Sequence, residues 1–238
     1  MNGTSTALNE HRPNVRTALV TGANRGLGRA VAAELHRRGF EVVVSARDGA
    51  QAREAAAGLG EDVRHIQLDV TDPGSVAAAA RALPEVDVLV SNAGIMLDTG
   101  ADPLTVPPEL VERTMAVNLI GSWRVAQAFL PAMIGRGWGR LVFVSSATGS
   151  FTAGLFIGCP AYSVSKAALN GLTQMLAAHA EGTGVLVNAV NPGQTRTRMM
   201  PSATRTAEES AVAIADAVTL PDDGPTGTFR RGDRLIGW

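Results

Sequence analysis

Tyr162 and Lys166 stand four residues apart in a run from Ala161 to Ala178 that predicts a helix. That spacing puts a phenol and an ammonium on one helical face, within reach of each other. A cation beside a phenol favours the phenolate and draws down a pKa that otherwise sits at about 10. A tyrosine tuned in this way trades a proton near neutral pH, as a general acid or base must. Tyr and Lys also share helix faces by chance, so the reading depends on what the rest of the chain builds around them.

The first such element lies near the N-terminus. The apolar run Thr17 to Val20 ends in Thr21-Gly22-Ala23-Asn24-Arg25-Gly26-Leu27-Gly28, and a helical pattern follows to Arg38, closed by Gly39. Strand, glycine-rich turn and helix together make the setting of a dinucleotide site. Glycines let the backbone pass close to a pyrophosphate, and the helix N-terminus offers it free N–H groups. The next strand, Glu41 to Ala46, ends where such a fold meets the adenine ribose. An acidic side chain there bonds the 2′-hydroxyl of NAD, whereas an arginine accommodates the 2′-phosphate of NADP. Arg47, with Arg25 in the glycine loop, therefore favours NADP(H) over NAD(H). Asp48 would repel that phosphate unless its carboxylate points away.

Further strands are predicted at Val63 to Leu68, Val86 to Val90, Arg140 to Ser145 or Ser146, and Val185 to Val190, with Arg234 to Ile236 as a seventh. Helices are predicted at Asp48 to Leu59, from Pro73 to Leu83, from about Glu109 to Ile134 with Asn118 inside it, and at Ala207 to Val218. Strands apolar throughout and alternating with helices indicate a parallel sheet covered on both faces. The expected fold is thus α/β, a single-domain Rossmann fold. It has a doubly wound parallel sheet of about seven strands with helices on both faces, over residues 15–238. Residues 1–14 are polar, contain Pro13 and read as a loose tail without the apolar stretch of a signal peptide.

Bulk composition agrees. Of 238 residues, 45% are hydrophobic and 18% charged, the balance of a globular core. A net charge of −1 gives no electrostatic attraction to nucleic acid or anionic lipid. Cys159 is the only cysteine, which suits a reducing compartment and a cytoplasmic location. His11, His36, His65 and His179 show no metal-ligand spacing, and no metal is expected. The uncharged stretch Leu141 to Ser165 is rich in Ser, Thr, Gly and Pro. It reads as a strand and a pocket-lining loop rather than a membrane span.

In this order and spacing, Thr21-Gly22-xxx-Gly26-x-Gly28, Asp69, Asn92-Ala93-Gly94, Asn118, Ser145-Ser146, Tyr162-xxx-Lys166 and Pro192-Gly193 resemble the short-chain dehydrogenase/reductase family. The resemblance spans Arg16 to Trp238 and points to the branch without a long C-terminal domain. It implies that Gly22, Asn24, Arg25, Gly26, Leu27 and Gly28 hold the pyrophosphate and adenosine ribose. Asp69 and Val70 would border the adenine, and Asn92, Ala93 and Gly94 the central ribose face. Pro192, Gly193, Thr195 and Thr197 would close over the nicotinamide. Tyr162 would be the acid/base, and Lys166 would lower its pKa and bond the nicotinamide ribose. Asn118 would hold a relay water, and Ser146 would orient the substrate carbonyl.

Two features depart from the family pattern. Ser91 stands where a second Asn is usual, and Ser146 precedes Tyr162 by 16 residues, about three more than is common. Either the intervening loop is longer or Ser145 takes the role; Ser146, at the strand end, is preferred.

The expected activity is reversible reduction of a ketone or aldehyde to an alcohol with NADPH. Alternatives are NAD-dependent alcohol oxidation, 3-oxoacyl reduction, and a non-catalytic NADP(H) sensor. The walls Ile95 to Pro108, Ala147 to Pro160 and Gln194 to Arg205 carry Met96, Leu97, Phe151, Leu155, Phe156, Ile157, Met199 and Met200. They suggest a hydrophobic small-molecule substrate. The family resemblance implies a homodimer or homotetramer.

Overall fold

Strands β1 (Thr17–Val20), β2 (Glu41–Ala46), β3 (Arg64–Gln67), β4 (Val86–Ser91), β5 (Gly139–Val144), β6 (Val185–Val190), β7 (Phe229–Arg231) and β8 (Arg234–Leu235) form one sheet. Their order is β3-β2-β1-β4-β5-β6-β7-β8, and every neighbouring pair except β7–β8 is parallel. The computed structural model describes residues 15–238; the expected tail 1–14, with His11, lies outside the described residues.

Helices α1 (Gly26–Arg37), α2 (Gly49–Ala57), α3 (Pro73–Ala82), α4 (Pro108–Met115), α5 (Ser122–Arg136), α6 (Pro160–His179) and α7 (Ala207–Val218) make the crossovers that parallel strands require. Successive strand residues point to opposite faces, and both faces are buried. Leu19, Val43, Leu89, Leu141 and Val187 share one core with Phe129 and Met133 of α5 and Leu169 of α6. Their neighbours Val20, Val42, Val88, Val90 and Val142 share another with Leu35 of α1 and Ile214 of α7. Two-sided burial is why these strands read as unbroken apolar runs. No helix among the described residues is long and apolar enough to cross a membrane.

The sheet has eight strands rather than about seven. Gly232, at φ +64°, and Asp233 form a two-residue turn that pairs Arg231 with Arg234. The seventh strand is therefore Phe229–Arg231, parallel to β6, and Arg234–Leu235 is its short antiparallel return.

The helix expected from Glu109 to Ile134 is not uniform either. Between α4 and α5 the turns widen into a π-helical stretch, Ala116–Gly121, that contains Asn118. Gly121 lies tight against Val70, where a Cβ would come within 2.6 Å of Val70 Cγ2. The wider turn accompanies an Asn118 side chain that reaches the Ile95 backbone, a local change that hydrophobic periodicity does not register.

The chain reverses its direction of winding between β1 and β4. In a doubly wound sheet, the crevice beyond the C-terminal ends of those two strands is where a ligand binds.

Candidate active site

At this switch point the glycine turn and the segment after β4 are locked together. Thr21 Oγ1 accepts hydrogen bonds from Asn92 N (2.9 Å) and Ala93 N (3.0 Å). Asn92 Nδ2 donates to Thr21 O (2.9 Å) and Gly22 O (3.2 Å). Gly22 and Gly26 take φ values of +64° and +53°, which L side chains rarely adopt. Gly28 has no room for a side chain: a Cβ would strike Asn92 Nδ2 and lie 2.5 Å from Gly22 O. Arg25, the N-cap of α1, makes no side-chain cap, so side chains do not occupy the free N–H groups of that helix start. The cradle fits a pyrophosphate. Thr197 packs over Gly26 from the segment after β6, 3.5 Å from where a Cβ would stand.

Arg25 and Arg47 are exposed. Asp48 caps α2: its Oδ1 accepts from Ala50 N (2.9 Å) and Gln51 N (3.4 Å), and its Oδ2 from Gln51 Nε2 (3.2 Å). Its carboxylate is thereby committed to the helix start. Asn24 Nδ2 joins the glycine turn to the same helix through Gln51 Oε1 (2.6 Å). Asp69 Oδ1 accepts from Thr71 N and Thr71 Oγ1, and that pairing, with Arg47 and Arg124 nearby, holds its carboxyl below the usual range. Val70, beside it, is buried.

β5 delivers the two serines to different tasks. Ser145 is buried, and its Oγ lies 2.6 Å from Asn170 Oδ1 in α6. Ser146 hydrogen-bonds the Tyr162 phenol and also caps the turn Ala147–Gly149 through Thr148 N (3.3 Å). Gly149, three residues after Ser146, is pressed onto α6, where a Cβ would lie 2.6 Å from Lys166 C and 2.8 Å from Lys166 Cβ. This contact sets the distance between the serine turn and the tyrosine helix.

Lys166 is buried and its Nζ donates to Val144 O (2.8 Å). It stands 5.5 Å from the centroid of the Tyr162 ring, and 3.7 Å from where a Cβ on Gly94 would be. Asn118 is fully buried: Oδ1 accepts from Ile95 N (2.8 Å), and Nδ2 donates to Ile95 O (2.9 Å) and Ser165 Oγ (3.0 Å).

One expectation is reversed. Tyr162 is not drawn down by Lys166; burial pushes its pKa up to about 12, and the Ser146 hydrogen bond works against that rise. Burial also lowers Lys166 to about 8. The shared helix face is real, but the ammonium is turned toward Val144 O, and loss of water is the largest influence on the phenol. The protein's own residues thus hold Tyr162 as a neutral phenol, the form that gives up a proton.

After β6, Pro192 is buried and Gly193 sits at φ +80°. Thr195 is buried against Ser210 Oγ of α7 (2.7 Å), which places it in the loop's anchor rather than in its open face. Phe151, Phe156, Ile157 and Met199 are exposed around this end of the sheet. Arg196, Arg198 and Arg205 are exposed as well.

Sequence reading had not singled out Gly149, Asp98 or Asn170.

A doubly wound sheet with a glycine turn at its switch point, and a Ser–Tyr–Lys set beside that turn, defines a dinucleotide-dependent oxidoreductase. A family model described as short chain dehydrogenase matches residues 16–208. Oxidoreductase UcpA of Escherichia coli K12 is 36% identical over 201 residues, covering 80% of this chain and 73% of that protein. The 3-oxoacyl-[acyl-carrier-protein] reductase FabG of the same strain is 34% identical over 188 residues, covering 77% and 75%. A solved short chain dehydrogenase/reductase family protein superposes with a TM-score of 0.83 at 32% identity, covering 91% of this chain and 94% of that one. The chain belongs to the short-chain dehydrogenase/reductase family, oxidoreductases that act between alcohols and carbonyls with NAD(P)(H).

Proposed function

We propose that this protein is an NADPH-dependent carbonyl reductase, its catalytic domain spanning residues 15–238. The observation that carries the reading is the Tyr162 phenol, kept neutral by burial and bonded to Ser146, with Lys166 between it and Gly94. NADPH when bound supplies hydride to a carbonyl carbon. Tyr162 gives its proton to the carbonyl oxygen, and Ser146 donates a hydrogen bond to the same oxygen as charge builds there. Lys166, protonated below about pH 8, attracts negative charge at Tyr162 once the phenol has given up its proton. Asn118 holds the water that resupplies Lys166 through an acceptor atom, since both hydrogens of its amide are taken.

The nucleotide preference follows from Asp48. With its carboxylate spent on the start of α2, the exposed Arg47 and Arg25 are left to meet a 2′-phosphate. Arg47→Ala is expected to weaken NADPH binding by ~10-fold and leave NADH binding unchanged, measured by fluorescence titration. Retained preference for NADPH would contradict the assignment.

The exposed Phe151, Phe156 and Ile157 favour a hydrophobic ketone or aldehyde. A 3-oxoacyl chain is a second reading, favoured by the likeness to the 3-oxoacyl-[acyl-carrier-protein] reductase. Ile120, Trp123, Val164 and Met175 are exposed on the helices near Asn118 and Tyr162, which suits a homodimer or homotetramer built on those helices. The activity is tested by incubating purified protein with NADPH and a panel of aryl, alicyclic and 3-oxoacyl carbonyls. Alcohol formation supports the reading, whereas NADPH binding without turnover supports a sensor instead.

A further inference from the structure

Helix α6 carries Tyr162 and Lys166, yet its own N-cap residue does not cap it. The Cys159 side chain accepts from no backbone N–H of the first turn, its Sγ lying instead 3.6 Å from Ser163 Oγ, and Pro160 has no N–H to give. The free donors are those of Ala161 and Tyr162, the second and third residues of the helix, which an N-cap side chain ordinarily satisfies. Both instead donate to Asp98 Oδ2, Ala161 N at 2.6 Å and Tyr162 N at 3.3 Å.

Asp98 belongs to the loop after β4, far away in sequence. It is 2% exposed, and its other oxygen, Oδ1, has no hydrogen-bond partner among the described residues. Burying a carboxylate with one oxygen unpaired is unfavourable, and a local Ser or Asp at position 159 would cap the helix without that cost. What the remote carboxylate adds is a connection. The loop bearing it is fixed at Ile95, where Asn118 bonds both the N–H and the carbonyl. Gly100 N also donates to Gly158 O (2.7 Å), which ties this wall to the loop that leads into α6.

We propose that Asp98 is a positioning residue that couples the Ile95–Pro108 wall of the substrate site to the tyrosine helix, so that the wall's conformation sets where the Tyr162 hydroxyl stands. The proposal deepens the carbonyl-reductase reading and rests on it for its kinetic part. Asp98 does not touch the reacting atoms; it acts through the backbone of Tyr162.

Three variants separate coupling from simple capping. Asp98→Ala is expected to lower kcat between ~10-fold and ~100-fold, with NADPH affinity unchanged, because a small misplacement of an acid costs rate rather than cofactor binding. Asp98→Asn keeps an acceptor for both N–H groups and is expected to restore kcat to within about threefold of wild type. The double variant Asp98→Ala/Cys159→Ser supplies a local cap, so its melting temperature should recover while its kcat stays low. Recovery of both would show that Asp98 only caps the helix, and would overturn the proposal. Full kcat in Asp98→Ala would overturn it as well. If Asp98→Ala does not fold, the double variant compared with Asp98→Asn gives the same decision.

A second readout is independent of turnover. Tyr162 is the only tyrosine, so protein labelled with isotopic tyrosine gives one ring NMR environment. That signal should shift in Asp98→Ala and in the double variant, and return in Asp98→Asn. A wild type that reduces no carbonyl would remove the carbonyl-reductase reading, and the tyrosine signal would still decide whether Asp98 positions the helix. An unmoved signal in the double variant would exclude the coupling.

Discussion

Tyr162→Phe is expected to lower kcat for carbonyl reduction by ~10²–10⁴-fold while NADPH affinity stays within about twofold. Phenylalanine keeps the ring and its packing and removes only the hydroxyl that Ser146 bonds. Without it, the growing charge on the carbonyl oxygen has one hydrogen bond and no proton. Lys166 does not stand in for the phenol, because its ammonium donates to Val144 O and lies 5.5 Å from the ring centroid. The loss therefore falls on kcat and on kcat/KM together, the signature of an interaction made in the transition state. Steady-state kinetics on any carbonyl the wild type reduces give the comparison. A variant within threefold of wild type would mean that another group supplies the proton.

Gly149→Ala is also expected to cost activity, by a different route. The added methyl would strike Ala167 N and lie 2.6 Å from Lys166 C, so either the Ser146 turn or α6 has to move. Overpacking of this kind typically costs ~1–3 kcal/mol of stability. A shift of about 1 Å between Ser146 and Tyr162 costs ~10²-fold in rate. Thermal unfolding and kcat should therefore fall together. Gly154→Ala, at a position with open space around it but φ +81°, is the control. It is expected to cost stability through the backbone alone and to spare kcat, since nothing near Lys166 is pushed.

The contrast between these two residues shows what the chain's order of residues makes readable. Tyr162, Lys166, Gly28 and Asn92 announce themselves because each serves chemistry or close approach at fixed spacing within one element. Strands β2 and β6 are equally plain, since burial on both faces leaves an unbroken apolar run. Gly149 and Asp98 act across gaps of 17 and 63 residues or more, on partners chosen by tertiary packing. No local pattern marks them. Ser145 and Ser146 stay equivalent until Asn170, on the next helix, takes one of them. The π-helical stretch at Asn118 adds one residue to a turn without altering the apolar stripe, so periodicity passes over it. The direction of the Tyr162 shift is the sharpest case. Spacing shows that Lys166 is near, but only the packed site shows that burial dominates.

The claim at the centre, that Tyr162 is a half-buried, desolvated and protonated donor paired with Ser146, is tested most directly by titrating its phenol. Because the chain has one tyrosine, the rise of phenolate absorbance with pH reports Tyr162 alone, and far-ultraviolet circular dichroism shows where the fold persists. A folded-state pKa raised to about 12 keeps the phenol neutral at about pH 11, where an ordinary tyrosine is mostly ionised. The expected result is little phenolate up to about pH 11 in the folded protein, and less still in Ser146→Ala, which lacks the bond that favours ionisation. Half-ionisation at about pH 10 in the folded protein, unmoved by Ser146→Ala, would contradict both the burial and the pairing.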